Sequence, residues 1–375
     1  MDGEMKEMKK PTRKAAYIAK RRERTMRGGG GAPRNRKTGS AARRMAGNRE
    51  KTRVAAHAPD YAAGVSDGAT IRSHEDVKSS SEMTEHANGQ WNKRYFDARG
   101  GAGAVWTRVR ARSERYAAGY AQGAGLKVRF CLVPLRKKAS AVVCAEGDEA
   151  ALERVLAQLD TLPLQEIVIV AGGASDRMFT LARNRANAVI VNLPQQIDAD
   201  VGRALGAKLT GADIVLFVDG QEAVAAPVLA KFLWECDGKA DVALNDLSAG
   251  IGKFRNRKAA ARYYEFMNAT MNRTDLKMNT LSALPYALSR NAIDALGASA
   301  LSVPAKAHAM AIMKGLRITI GTSAGSGGRS MNPAYWALSA GDHVEAWKEV
   351  MDARGRRLHF PDGLRNRNAL GEWER

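Results

Sequence analysis

Asp219, Gln221 and Glu222 are the residues of this chain whose types and spacing most invite chemistry. They follow an unbroken apolar run, Ile214 to Val218, and Gly220 sits among them. A short continuous apolar run bounded by polar residues reads as a buried central strand. A carboxylate at the carboxyl tip of such a strand stands where open α/β sheets bind ligands. Glycine beside it lets the backbone approach whatever binds. The alternative is a plain turn, in which Asp219 bonds only its local backbone. A second candidate is Gly172-Gly173, after the strand-like stretch EIVIV, Glu166 to Val170. Its backbone N–H groups could cradle a phosphate. The spacing is not GxGxxG, so no dinucleotide site is expected.

Alternating strands and helices must position these residues. The sequence predicts a strand over 139–145, then a helix capped by Asp148 that buries Leu152, Val155, Leu156 and Leu159. Strands at 166–170 and 189–191 flank a helix running through Ala182. A helix lined by Val201, Ala204, Leu205 and Leu209, with Asp198 or Asp200 as its cap, feeds the 213–218 strand. Pro227 opens the next helix, which buries Phe232, Leu233 and Cys236, and 241–245 is a strand. Helices are expected at 258–272, after Asn291, at 304–314 and at 342–353, with strands at 283–288 and 316–320. Gly325 to Gly328 reads as a flexible link. The 304–314 helix makes His308 a core histidine, and His343 reads as the start of a surface helix. Strands alternating with helices of about a dozen residues give an α/β fold, a mostly parallel sheet with helices on both faces.

Charge divides the 375 residues unequally. Residues 1–138 hold 32 Lys+Arg against 13 Asp+Glu, whereas the rest holds 27 against 26. Residues 1–90 therefore read as a basic disordered arm, with Lys20 to Arg24 and Gly28 to Gly31 as its signature. A helical region over 91–138 follows, then the α/β body at 139–322 and a C-terminal helix and tail at 323–375. Within 91–138 a helix is expected from 105 to 122, stopped by Gly123 and Gly125. The arm, residues 1–58 above all, suits an anionic polymer, a membrane surface or nucleic acid. It carries no motif for reading nucleic-acid sequence. The equal alternative is a solvated tail. Cys131, Cys144 and Cys236 form no CxxC pair, so neither a disulfide framework nor a zinc site is expected. No run approaches the roughly 20 apolar residues of a membrane span. The expected location is cytoplasmic, in a bacterial cell, with peripheral membrane attachment as a variant.

In the order of its motifs the body resembles a family-two glycosyltransferase of GT-A fold. ASAVVCAEGDE, from Ala139, resembles the family's opening strand. VAGGASD (170–176) lies over the family's VDDGSTD. DVGRALGAKLTGADIVLFVDGQE (200–222) resembles the helix and strand that end in its DxD motif. LPYALSRNAIDALG (284–297) resembles its acceptor-side strand and following helix. The resemblance covers residues 139–320.

It implies transfer of a sugar from a nucleotide-diphosphate sugar to an acceptor it does not identify. Mg²⁺ or Mn²⁺ would stabilise the leaving diphosphate through hard oxygen ligands. Asp219, Gln221 and Glu222 would hold that metal. Ala145, Glu146, Gly173, Asp176 and Asp219 would line the nucleotide-sugar cleft. The sequence departs from the family at three places. DxD is here Asp219-Gly220-Gln221, and the acidic pair at the nucleobase end is Ala171-Gly172. The ED pair that holds the family's base aligns near Pro304-Ala305, which offers no carboxylate. Asp246 would be the catalytic carboxylate in its place or a donor-sugar contact, with a simple turn role as the favoured alternative and Asp342 as a second substitute. A missing base lowers such rates roughly 10²–10⁴-fold. The alternative function is therefore a catalytically degenerate GT-A-fold binding protein, held to an anionic partner by its arm.

Overall fold

The computed structural model describes residues 59–71, 79–97, 103–173, 175–249, 252–325, 333–360 and 362. The chain divides into two units, and every described residue belongs to the second, 55–375. Residues 1–58, and with them most of the expected arm, lie outside the described residues.

Three helices come first: α1 (Pro59–Ile71), α2 (Ser80–Asp97) and α3 (Trp106–Ala124). The elements of the body are β1 (Ala139–Ala145), α4 (Glu149–Leu159), β2 (Glu166–Gly172), α5 (Asp176–Arg183), β3 (Ala188–Leu193), α6 (Ala199–Leu209), β4 (Ile214–Asp219), α7 (Ala226–Cys236) and β5 (Val242–Leu244). Then come α8 (Ala259–Thr270), β6 (Tyr286–Ser289), α9 (Arg290–Leu296), α10 (Pro304–Met313), β7 (Ile318–Ile320) and α11 (Pro333–Arg354). Among the described residues no helix is long and apolar enough to cross a membrane.

The seven strands lie in the order β3-β2-β1-β4-β6-β5-β7. β1 to β4 are mutually parallel, β6 runs against both β4 and β5, and β7 is parallel to β5. This is the expected mostly parallel α/β sheet with helices on both faces. Burial explains its unbroken apolar runs. Ile214, Leu216 and Val218 of β4 join the core shared with α4 and α7, while Val215 and Phe217 join the core shared with α6, α9 and α10. A third core lies between α8, α10 and α11. The 283–288 expectation corresponds to β6, and the 342–353 helix starts nine residues earlier, at Pro333.

The stretch 59–90, expected to lack structure, holds α1 and most of α2. The apolar period is hard to see there because these helices bury small and polar residues. α1 and α3 lie parallel and carry a repeat, Tyr61–Ala69 (YAAGVSDGA) and Tyr116–Ala124 (YAAGYAQGA). A Cβ added at Gly64 would stand 2.2 Å from the Tyr116 carbonyl oxygen, and one at Gly119 would stand 2.1 Å from that of Tyr61. Gly68 and Gly123 meet the partner backbone equally closely. The backbones touch as they do in GxxxG pairs. Matching side-chain bonds flank the contact: Tyr116 Oη donates to Asp67 at 2.6 Å, and Tyr61 Oη donates to Gln122 at the equivalent place. From α2, Arg94 clamps Asp67 with two bonds of 2.5 Å. Asn88 and Asn92, one turn apart, accept from the backbone N–H groups of Val133 (2.9 Å) and Leu135 (3.1 Å). Trp91, Tyr116 and Tyr120 thereby enter the same core as β1 and α4.

Candidate functional site

All six strands other than β6 run one way, so their carboxyl ends share one edge of the sheet. Strand order reverses between β1 and β4, and a crevice at such a point is where open α/β sheets take ligands. The structure brings the Asp219 loop there, whereas Gly172-Gly173 ends β2, one strand away, and packs against Gln195 and Ile197. Cys144, next to the end of β1, pairs with Asp219 at the end of β4. Gly220 then passes so close to β1 that a Cβ on it would stand 2.3 Å from the Cys144 carbonyl oxygen. Gln221 spans the same gap: its Nε2 donates to the Glu146 carbonyl at 2.5 Å. Asp219 Oδ1 accepts the Gln221 N–H at 2.8 Å, so the local turn bond does form. It leaves the second carboxylate oxygen for other use.

The remaining predicted residues are distributed along this edge. Ala145 is the buried last residue of β1 and pairs with Ala171 of β2. Glu146 is half-buried, and Glu222 stands beside Gly325, 3.3 Å from the position of a Cβ there. Gly173 takes φ +62, in the left-handed region that favours glycine, and its N–H donates to Leu193 O at 2.9 Å. Asp176 is exposed in the first turn of α5, behind the Ser175 cap. Asp246 follows β5. Leu216 and Ala243 both pair with Ala287, so Asp219 and Asp246, each three residues on, stand at the same height. Two strand spacings, about 10 Å, separate them. Asp246 Oδ1 accepts from the Ser248 N–H (2.9 Å) and hydroxyl (2.5 Å), the turn role named as its alternative.

Among the described residues no three His, Cys, Asp or Glu side chains stand together as a metal cage. Gln221 Nε2 is taken by the Glu146 carbonyl, which leaves its amide oxygen as a neutral ligand beside the carboxylates of Asp219 and Glu222. That set fits a hard cation carried by a diphosphate, since Mg²⁺ is commonly held by one or two carboxylates plus substrate phosphates.

Beneath this edge lies a polar group that sequence reasoning touched only in part. Asp200 and Arg203 form a buried ion pair on α6, and the Arg203 guanidinium lies 6.0 Å from the Tyr286 ring centre. Tyr286 stacks on Phe217, with 4.9 Å between ring centres. Asp342 faces the group from α11. Burial, with the nearby Glu345 and Asp198 charges, pushes its carboxyl up to about 6, although Arg203 opposes the shift. His343 is not at a helix start, as expected, but in the interior of α11, buried against Tyr264 at 5.3 Å between ring centres. His308 is the core histidine predicted. Its Nε2 lies 2.7 Å from Asn268 Oδ1, and burial lowers its pKa to about 3. Lys306, which follows Pro304-Ala305 on α10, pairs with Glu349 (2.9 Å) and Glu345 (3.4 Å) of α11. A cavity of about 640 Å³, lined by Met271, Arg273, Leu316, Arg354 and His359 among others, opens at the other end of β7 and contains none of the predicted site residues.

No protein-family model matches the sequence. No curated protein matches it either. Several solved structures overlap it in part. The glucosyl-3-phosphoglycerate synthase from Mycobacterium tuberculosis, solved with Mn²⁺, UDP-glucose and phosphoglyceric acid, is 14% identical over 70% of this chain and 87% of its own, with a TM-score of 0.45. The same enzyme with Mn²⁺, UDP and phosphoglyceric acid is 15% identical over 61% and 81%, with a TM-score of 0.44. The mannosyltransferase PcManGT from Pyrobaculum calidifontis, with GDP-mannose and Mn²⁺, is 15% identical over 72% and 76%, with a TM-score of 0.40. Overlaps at these scores assign no residue and no ligand to this chain.

Proposed function

We propose that this chain is a glycosyltransferase-type protein of GT-A fold that binds a nucleotide-diphosphate sugar at the β1/β4 edge. One observation carries the reading: the Asp219–Glu222 turn is packed onto the end of β1 at the switch point, with Gly220 where no side chain fits. Asp219, with Gln221 and Glu222 in support, would hold Mg²⁺ or Mn²⁺ with the diphosphate, and the bond from Gln221 Nε2 to Glu146 pins the turn. Ala145, Glu146, Gly173 and Asp176 line the nucleotide side. Asp246, level with Asp219, takes the proton from the acceptor hydroxyl. When bound, the metal neutralises the charge that develops on the leaving diphosphate. Residues 1–58, with 18 Lys+Arg and 5 Asp+Glu, attach the protein to an anionic polymer, membrane or nucleic acid.

The test is thermal unfolding of the full chain with UDP- and GDP-sugars, in Mn²⁺ and in EDTA. A ligand at about 100 times its Kd adds about 2.7 kcal/mol, a shift of several degrees. The shift should need Mn²⁺ and vanish in Asp219→Ala. No shift with any nucleotide sugar would sink the reading.

A second reading, a degenerate binding protein on the same fold, is favoured by the lack of a carboxylate at Pro304-Ala305 and by the neutral Gln221 beside Asp219. It gives binding without release of nucleotide. Sugar transfer abolished by Asp219→Ala would rule it out.

A further inference from the structure

Charge is unevenly placed along the carboxyl edge of the sheet. On the β1/β4 side stand Glu146, Asp148, Asp176, Asp219 and Glu222. On the β5 side, beyond Asp246, the sign reverses. Residues 247–264 hold Lys253, Arg255, Arg257, Lys258 and Arg262 and no acid at all, in a body (139–375) whose Lys+Arg exceed Asp+Glu by one. This basic stretch leads from Asp246, at the edge that carries Asp219, into the first turn of α8.

The cations divide into two kinds. Arg257 pairs with Glu265 and donates to Gly252 O at 3.2 Å. Arg262 donates to Arg255 O (3.1 Å) and Arg257 O (3.2 Å). These two hold the loop in shape. Lys253, Arg255 and Lys258 are exposed and make no ion pair among the described residues. Three like charges within six residues repel one another, and the Glu265 carboxylate at this loop is taken by Arg257. An anion with closely spaced charges relieves that repulsion and gains charge-assisted hydrogen bonds.

We propose that Lys253, Arg255 and Lys258 form the binding surface for a phosphate-bearing acceptor, presented to the Asp246 end of the site. This rests on the nucleotide-sugar reading of the β1/β4 edge, which leaves the β5 side for the second substrate.

The experiment uses the full chain, the triple variant Lys253→Ala/Arg255→Ala/Lys258→Ala, and an arm variant, Lys20→Ala/Arg21→Ala/Arg22→Ala. The probe is short inorganic polyphosphate, titrated calorimetrically in EDTA at two salt concentrations. UDP-sugar binding is read separately, by thermal shift in Mn²⁺. The loop variant should bind polyphosphate about tenfold more weakly or worse, with a shallower salt dependence, and should keep the UDP-sugar shift. The arm variant should lose less polyphosphate affinity than the loop variant. Equal losses in the two variants, or unchanged binding in the loop variant, would overturn the proposal by reducing the loop to general charge. Loss of the UDP-sugar shift in the loop variant would also overturn it, because the loop would then serve the donor diphosphate. Polyphosphate binding lost in the loop variant while the unaltered chain ignores every nucleotide sugar would keep the anion surface and remove the donor reading.

Discussion

Asp342 and His308 bind protons in opposite senses, and both effects follow from packing. The folded chain holds the Asp342 proton up to about pH 6, whereas the ordinary carboxyl loses it near 3.8. Stability from the neutral form is therefore full below the ordinary value and is lost as pH rises through 6. Asp342→Asn cannot ionise. It should leave the melting temperature unchanged at pH 3.5 and raise it at pH 8. The gain should be about 2 °C, since the group is half-exposed and solvent screens much of the penalty. No gain at pH 8 would mean that its charge is compensated by Arg203. His308, lowered to about 3, contributes stability that is present above its ordinary 6.5 and declines as pH falls. Local chemistry was legible at this scale. Asp148 was readable as a cap because an N-cap needs only the next few residues, and of the two candidates Asp198 and Asp200 the first is the cap; both Asp148 and Asp198 accept a backbone N–H of the first turn. His343 was not, because its burial depends on Tyr264, 79 positions away in the sequence.

Elements held by apolar faces could be read from their period, and those held by backbone contact could not. α4 and α7 bury leucines at helical spacing, and both were predicted. α1 buries Gly64, Gly68 and Ile71, so its face is nearly blank to a hydrophobicity argument. The repeat was the available signal, since Tyr-Ala-Ala-Gly occurs twice with a second glycine four residues on. Gly119→Ala should separate α1 from α3, because nothing can relax a 2.1 Å approach to a carbonyl oxygen except movement of a helix. A loss of about 2–4 kcal/mol is expected, comparable to a badly overpacked core. Limited proteolysis should then cut near α1 first. Gly89→Ala, in α2 with nothing within 4 Å, is the control and should stabilise by up to about 1 kcal/mol. Equal behaviour of the two variants would refute the close pairing.

Over the whole molecule, the sheet was legible because a parallel strand buried on both faces has to be apolar throughout. Its order was not, since the insertion of β6 between β4 and β5 is settled by long-range pairing. The charge imbalance sets the behaviour expected of the full chain. Residues 1–58 carry a net +13 of the total +20. Deleting them should shift elution from heparin to clearly lower salt while leaving the UDP-sugar thermal shift in place, and unchanged elution would locate the binding charge in the body. The α1/α3 pair has a consequence beyond stability. Two copies of one motif, packed in parallel about an approximate twofold axis, reproduce within one chain the contact that two identical subunits make across a symmetric interface. Such a contact does not distinguish its own copy from a neighbour's. A chain cleaved between α1 and α2 would expose on α3 a surface already shaped for another α3, so damage at that joint would be recorded as a change in oligomeric state.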